Sequence, residues 1–308
     1  MQVFIIKLMD ARPVRAGTLK SRLPLEKVAW EGGSFVQAVN YADLKQENMD
    51  PNNREVHAFI AGLFDREAVW FSSEWANHLT HLAPFAIRDP SCRKHFNKHR
   101  EEWGTVDQNG YMRDDNTLVK NWVKGLNIDD RAFGTVLPPL TKGYTACHLW
   151  RGVADGRNVM QKNYHYSAIC NLVWLPTAYS RLSDQEGSFA QTYLKAIALG
   201  IFPHRQSGAA GLRRFYESVD LDQTAHDIQR FGIDTAGLRL KARRYFIVSA
   251  TKLAWHDRKM RSIRSQLVGR ATEVAVRPRR FREGLSALSA GRRERLLKDL
   301  EQYALVKA

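Results

Sequence analysis

The stretch from Lys142 to Ile201 constrains the fold more than any other part of the chain. It opens as Gly143-Tyr144-Thr145-Ala146-Cys147-His148-Leu149-Trp150, a short apolar strand with a histidine near its end. A polar, glycine-containing insert follows. The chain then resumes as Ile169-Cys170-Asn171-Leu172-Val173-Trp174-Leu175-Pro176, a second strand stopped by proline, which cannot donate to a β-ladder. Thr177-Ala178-Tyr179-Ser180-Arg181-Leu182-Ser183-Asp184 leads into Ser188–Leu199, where Phe189, Tyr193, Leu194 and Ile197 recur at helical spacing. The predicted local order is strand, loop, strand, helix.

The flanks read differently. The first 140 residues mix strand and helix signals. Met-Gln-Val-Phe-Ile-Ile-Lys predicts an opening strand over Val3–Leu8, since its apolar run is too short for a secretory leader. A Gly32-Gly33 turn and a helical stretch over Phe35–Lys45 follow. Arg54–Trp70 predicts a helix with Val56, Phe59, Ile60 and Leu63 on one face, and Asp114–Gly125 another with Leu118, Trp122 and Val123 inward. Ser91–Trp103 reads as a basic helix carrying Lys94, His95, Lys98, His99 and Arg100. Arg131–Leu140 reads as loop, because Pro138-Pro139 cannot continue a helix. Past Gly211 the pattern is mainly helical, Tyr245–Val248 being open to strand or helix and Leu285–Tyr303 predicting one closing amphipathic helix. The expected architecture is α+β and mostly helical, with residues 1–140, 141–203 and 204–308 as its three parts.

Charge sharpens that division. The 308 residues carry 47 Lys+Arg and 32 Asp+Glu, a formal charge of +15. From Ile201 onward there are 23 basic and 11 acidic residues, net +12, against +3 for the first 200. A one-sided basic surplus points to a polyanion, with nucleic acid as the expected partner. Lys241, Arg243, Arg244, Arg258, Lys259, Arg261, Arg264, Arg279 and Arg280 are the phosphate-contact candidates. Such contacts position a duplex without reading its sequence. No apolar run reaches the ~18 residues of a membrane helix, so no membrane partner is expected. Cys92, Cys147 and Cys170 form an odd, sparse set that argues against a disulfide framework and for a cytoplasmic setting. Cys147 and Cys170 lack a Cys-x-x-Cys partner and read as buried small residues rather than zinc ligands. No P-loop or helix-turn-helix signature is present.

Taken residue by residue, His148 reads as a buried core histidine, Asn171 as a turn residue and Asp184 as a helix cap as readily as anything chemical. Together, Cys-His-Leu-Trp, Asn-Leu-Val-Trp-Leu-Pro and Arg-Leu-Ser-Asp resemble the HNH endonucleases of the ββα-metal (His-Me finger) superfamily. The resemblance is to the bacterial group with Cys-His-Ile-Trp, Asn-Leu-Val-Leu-Leu-Pro and Leu-Ser-Asp-His. It covers about 60 residues, Lys142–Ile201.

The resemblance implies a metal-dependent endonuclease hydrolysing DNA, in restriction or anti-phage defence. His148 would be the general base and Asn171 the residue that orients it and pins the loop. One Mg²⁺ (or Mn²⁺) would be held by Asp184, with His165 as a further ligand. Two departures stand out. Cys147 precedes the base where the superfamily usually has Asp or His, as in the suspected group, and Gln185 replaces the third histidine of the pattern. They define an alternative, a nucleic-acid-binding protein that keeps a catalytically decayed HNH module. A single catalytic module implies a homodimer for double-strand cutting, and residues 1–140 are a candidate surface for a protein partner.

Overall fold

The computed structural model describes residues 41–92, 102–140, 143–151, 163–203 and 210–303. The expected Val3–Leu8 strand, the Gly32-Gly33 turn, most of the Phe35–Lys45 helix and the basic cluster from Lys94 to Arg100 lie outside them. The architecture is α+β. Helices surround a mixed six-stranded sheet, and a two-stranded parallel sheet stands apart. Among the described residues no helix is long and apolar enough to cross a membrane.

In chain order, α1 (Tyr41–Glu47) and α2 (Arg54–Glu67) lead into β1 (Val69–Trp70). Asn53 starts α2 by accepting the Val56 N–H at 3.1 Å. Ile60, Leu63 and Phe64 are buried along its inner face, with Val56 and Phe59 packed beside them. The helix ends before Val69, where the chain turns into the sheet. β2 (Ala86–Arg88) and β3 (Met112–Asp114) make the small sheet, and α3 (Thr117–Val123) follows, burying Trp122 and Val123 as expected.

β4 (Ile128–Asp130) and β5 (Thr135–Leu137) form an antiparallel hairpin, β5 lying within Arg131–Leu140, where the sequence predicted loop. The prolines at 138 and 139 bound β5 rather than prevent it. The central segment supplies β6 (Tyr144–His148), α4 (Asn163–Tyr166), β7 (Leu172–Pro176), α5 (Thr177–Ser180) and α6 (Phe189–Ile201). β6 and β7 pair antiparallel, with Tyr144 opposite Pro176 and His148 opposite Leu172. Ser188 caps α6 by accepting the Gln191 N–H, and the helix is buried on nearly every side, against α2 and two helices of the last third.

That last third holds α7 (Ala210–Tyr216), α8 (Leu221–Arg230), α9 (Leu238–Lys241), β8 (Arg244–Phe246), α10 (Ala250–Leu267), α11 (Arg279–Ala287) and α12 (Ala290–Glu301). Tyr245 resolves as strand. The predicted closing helix is two helices, broken at Leu288-Ser289. Phe281, Leu285, Leu288, Leu296 and Leu300, from the two helices and the break between them, all reach the core. Gly110, at φ +95°, sits against this layer. A Cβ there would lie 2.8 Å from a Leu288 methyl carbon.

The large sheet runs β5-β4-β8-β1-β7-β6. Its only parallel contact among the described strands is β1 with β8. Strands from all three expected parts therefore share one sheet. β8 lies between β4 and β1, so the boundaries drawn at residues 140 and 203 separate neighbours in a common core.

Candidate functional site

β6 ends at His148, whose side chain is 1% exposed. Its Nε2 lies 2.9 Å from the Tyr166 carbonyl oxygen. A carbonyl only accepts, so Nε2 carries the proton and Nδ1 the lone pair of the neutral ring. Burial pushes the imidazole well below its ordinary pKa of 6.5, and the Arg88 and Arg151 guanidiniums push it further. Tyr166 is held in turn through its hydroxyl, which donates to the buried Asp114 carboxylate. Asp114 also accepts from Trp103 Nε1 at 2.6 Å and the Leu118 N–H at 2.9 Å.

Asn171 closes the loop between the two strands. Its Oδ1 accepts from the Leu149 and Trp150 N–H groups at 3.1 and 2.7 Å. Its Nδ2 donates to the Trp150 and His165 carbonyls at 3.2 and 3.0 Å. One fully buried amide thus joins the exit of β6 to the end of the insert. Gln191 adds a fifth bond from α6, Nε2 to the Leu149 carbonyl at 3.0 Å. The sequence reading missed Gln191 and Tyr166. A glutamine at an inward position of an apolar helix was the available signal for the first. For the second there was none, since the contact to His148 is made by the backbone.

The two expected metal ligands have other partners. His165 is fully buried; its Nε2 donates to Ser218 Oγ at 2.5 Å, whose own proton goes to the Phe215 carbonyl. Asp184 is half exposed and ion-paired with Arg151, which also donates to the Asp184 carbonyl at 3.0 Å and to the His148 carbonyl at 3.4 Å. Among the described residues no group of three or more His, Cys, Asp or Glu could hold a metal ion. Mg²⁺ needs several hard oxygen ligands in octahedral order, and the described residues do not assemble them. Burial pushes the Cys147 thiol up to about 12.

The basic candidates divide. Arg244 is held between Asp130 and Glu67 at 2.9 and 3.0 Å, within the sheet. Lys259 lies over the Phe85 and Trp255 rings, and burial brings its ammonium down to about 8. Arg264 donates to the Leu300 carbonyl at 2.7 Å. These three, expected as phosphate contacts, are engaged with partners inside the fold. Arg261 pairs with Asp257 and Glu273, and Arg279 with Glu283, both at the surface. Lys241 lies 3.9 Å from Asp65. Arg280 lines a groove with Trp103 and Arg279, Arg243 lines another, and Arg258 is exposed on α10.

His57, His148 and His256 are all buried, and burial is the leading cause holding each below 6.5, His256 to about 3. Each folded pKa is below its unfolded value, so the unfolded chain binds more protons between the two. The stability these rings contribute is present above pH 6.5 and is lost as pH falls toward the folded values. The thermal midpoint is expected to drop steadily from pH 6.5 to 4 in calorimetry. A flat midpoint across that window would contradict neutral burial.

No protein-family model matches the chain, and neither curated proteins nor solved structures give a match.

Proposed function

We propose that this chain is an HNH-type endonuclease that hydrolyses DNA phosphodiester bonds. The observation that carries the reading is the Asn171 amide, which fastens both ends of the loop beside a histidine with a defined neutral tautomer. In this reading the His148 ring, buried here, becomes accessible when substrate binds, and its Nδ1 then takes a proton from water as the water oxygen bonds to phosphorus. The P–O bond to the leaving oxygen breaks, and that oxygen is protonated from solvent. Tyr166 holds the ring in place through its carbonyl, and Asn171 keeps the loop from moving it. The divalent ion implied by the resemblance has no assembled donor set among the described residues, so proton removal and positioning are assigned to the chain's own groups. A place in phage defence is inferred by analogy alone.

The Arg151–Asp184 pair favours a second reading, a nucleic-acid-binding protein with a decayed HNH module. A guanidinium already neutralises the carboxylate that a metal would need. Supercoiled plasmid incubated with Mg²⁺, Mn²⁺ or chelator separates the two. The nuclease reading expects nicking, and a Mn²⁺-dependent rise in thermal midpoint that disappears when His148→Ala and Asp184→Ala are combined. DNA binding with neither nicking nor a metal-dependent shift would establish the second reading.

A further inference from the structure

The hairpin β4–β5 carries an exposed aromatic ring on a firmly built turn. Phe133 is 76% exposed. A single exposed apolar side chain is ordinary at a surface; what marks this ring is that it stands at the tip of a turn whose backbone is held by hydrogen bonds and beside a basic groove. The order is plain. Asp130, almost fully buried, accepts the Ala132 N–H at 3.2 Å through Oδ1 and the Arg244 Nε–H at 2.9 Å through Oδ2. The Arg131 N–H donates to the Arg243 carbonyl at 2.8 Å, and the Phe133 N–H to the Asp130 carbonyl at 3.2 Å. Gly134 turns the chain at φ +61°.

Beside this tip lies a groove of about 480 Å³ lined by Arg131, Arg239, Leu240, Arg243 and Tyr245. Pairing register puts Val136, Asp129 and Tyr245 in one row across β5, β4 and β8, on the sheet face opposite Ile128 and Phe246. The Arg131 guanidinium carbon lies over the Tyr245 ring, 4.2 Å from its centroid, and the side chain is neutralised by Asp129 and Glu74. Arg239 and Arg243 form no ion pair among the described residues. Leu240 is 82% exposed. The face thus combines two guanidiniums that lie outside the ion pairs, Arg239 donating to Ser73 Oγ at 3.5 Å, with exposed apolar groups at a fixed turn.

We infer that this groove and the Phe133 tip bind an unpaired stretch of nucleic acid, with Arg239 and Arg243 on its phosphates and Phe133 stacked on a base. The inference rests on the nucleic-acid reading above. Charge complementarity selects the partner: cations next to an aromatic platform suit a strand whose bases are unstacked. Tyr245 on β8 lines the groove, and β8 lies three strands from β6, whose end carries His148. Three strand spacings of ~4.8 Å come to about 14 Å across the sheet. The groove is therefore a second contact, separate from the catalytic candidate.

Fluorescence anisotropy with labelled single-stranded and duplex 20-mers across a salt series tests this. Phe133→Ala is expected to weaken single-strand binding roughly tenfold and duplex binding less. The Arg239→Ala/Arg243→Ala variant is expected to flatten the single-strand salt slope by about 1.4, two phosphate contacts' worth. Phe133 and Arg239 are exposed and Arg243 is partly buried, and an unchanged thermal midpoint verifies folding. If the wild type binds and both variants match it in affinity and slope, the groove inference falls while the nuclease reading stands. If the wild type binds neither oligonucleotide at low salt, both fall.

Discussion

His148→Ala is expected to reduce plasmid nicking by at least ~100-fold, the lower end of what a positioned general base supplies. The side chain is buried with one nitrogen committed to the Tyr166 carbonyl, so no neighbouring group occupies the same position by simple rotation. His148→Gln is the sharper variant. An amide can still donate to that carbonyl and fill the space, yet it cannot take a proton from water. Loss of nicking in both variants, with DNA affinity kept, assigns the base. Equal nicking by wild type and either variant would remove His148 from the chemistry.

Asn171→Ala carries the largest expected effect on stability. The substitution leaves the Trp150 N–H, the Trp150 carbonyl and the His165 carbonyl without their side-chain partner in a buried setting. Each unsatisfied buried group costs about 1–3 kcal/mol, so a total of about 3–9 kcal/mol follows for the three. That is a large part of the 5–15 kcal/mol typical of a folded protein. A fall in thermal midpoint of order 10 °C is expected by calorimetry. A midpoint within 2 °C of wild type, or about that, would show that solvent takes over the clamp's hydrogen bonds at little cost.

The parts legible in the sequence were those whose information is local. The spacing of Ile60 and Leu63 marked α2, and Phe189, Leu194 and Ile197 marked the buried helix α6. The apolar runs around Cys147 and Val173 marked two strands, which do pair. Elements defined by distant partners were not legible. β4, β5 and β8 have three residues each, too few for a period-2 pattern, and they exist as strands because they meet one another. The site divided the same way. His148 and Asn171 stood out by pattern and are joined through one loop, whereas the Arg151–Asp184 pair links residues 33 positions apart. Charge was the least transferable signal. Arg243 and Arg244 are adjacent in sequence, yet one lines an open groove and the other bridges two carboxylates.

The place of β8 also bears on how the chain is made. Residues 244–246 sit between β1, at residues 69–70, and β4, at residues 128–130. On a translating ribosome the early strands emerge long before the strand that joins them. Until Phe246 clears the exit tunnel, β1 and the β4–β5 hairpin each present an open edge with no native neighbour on that side. Such edges invite wrong pairings, and the wait ends only after more than 170 residues separating β1 from β8 have been synthesised.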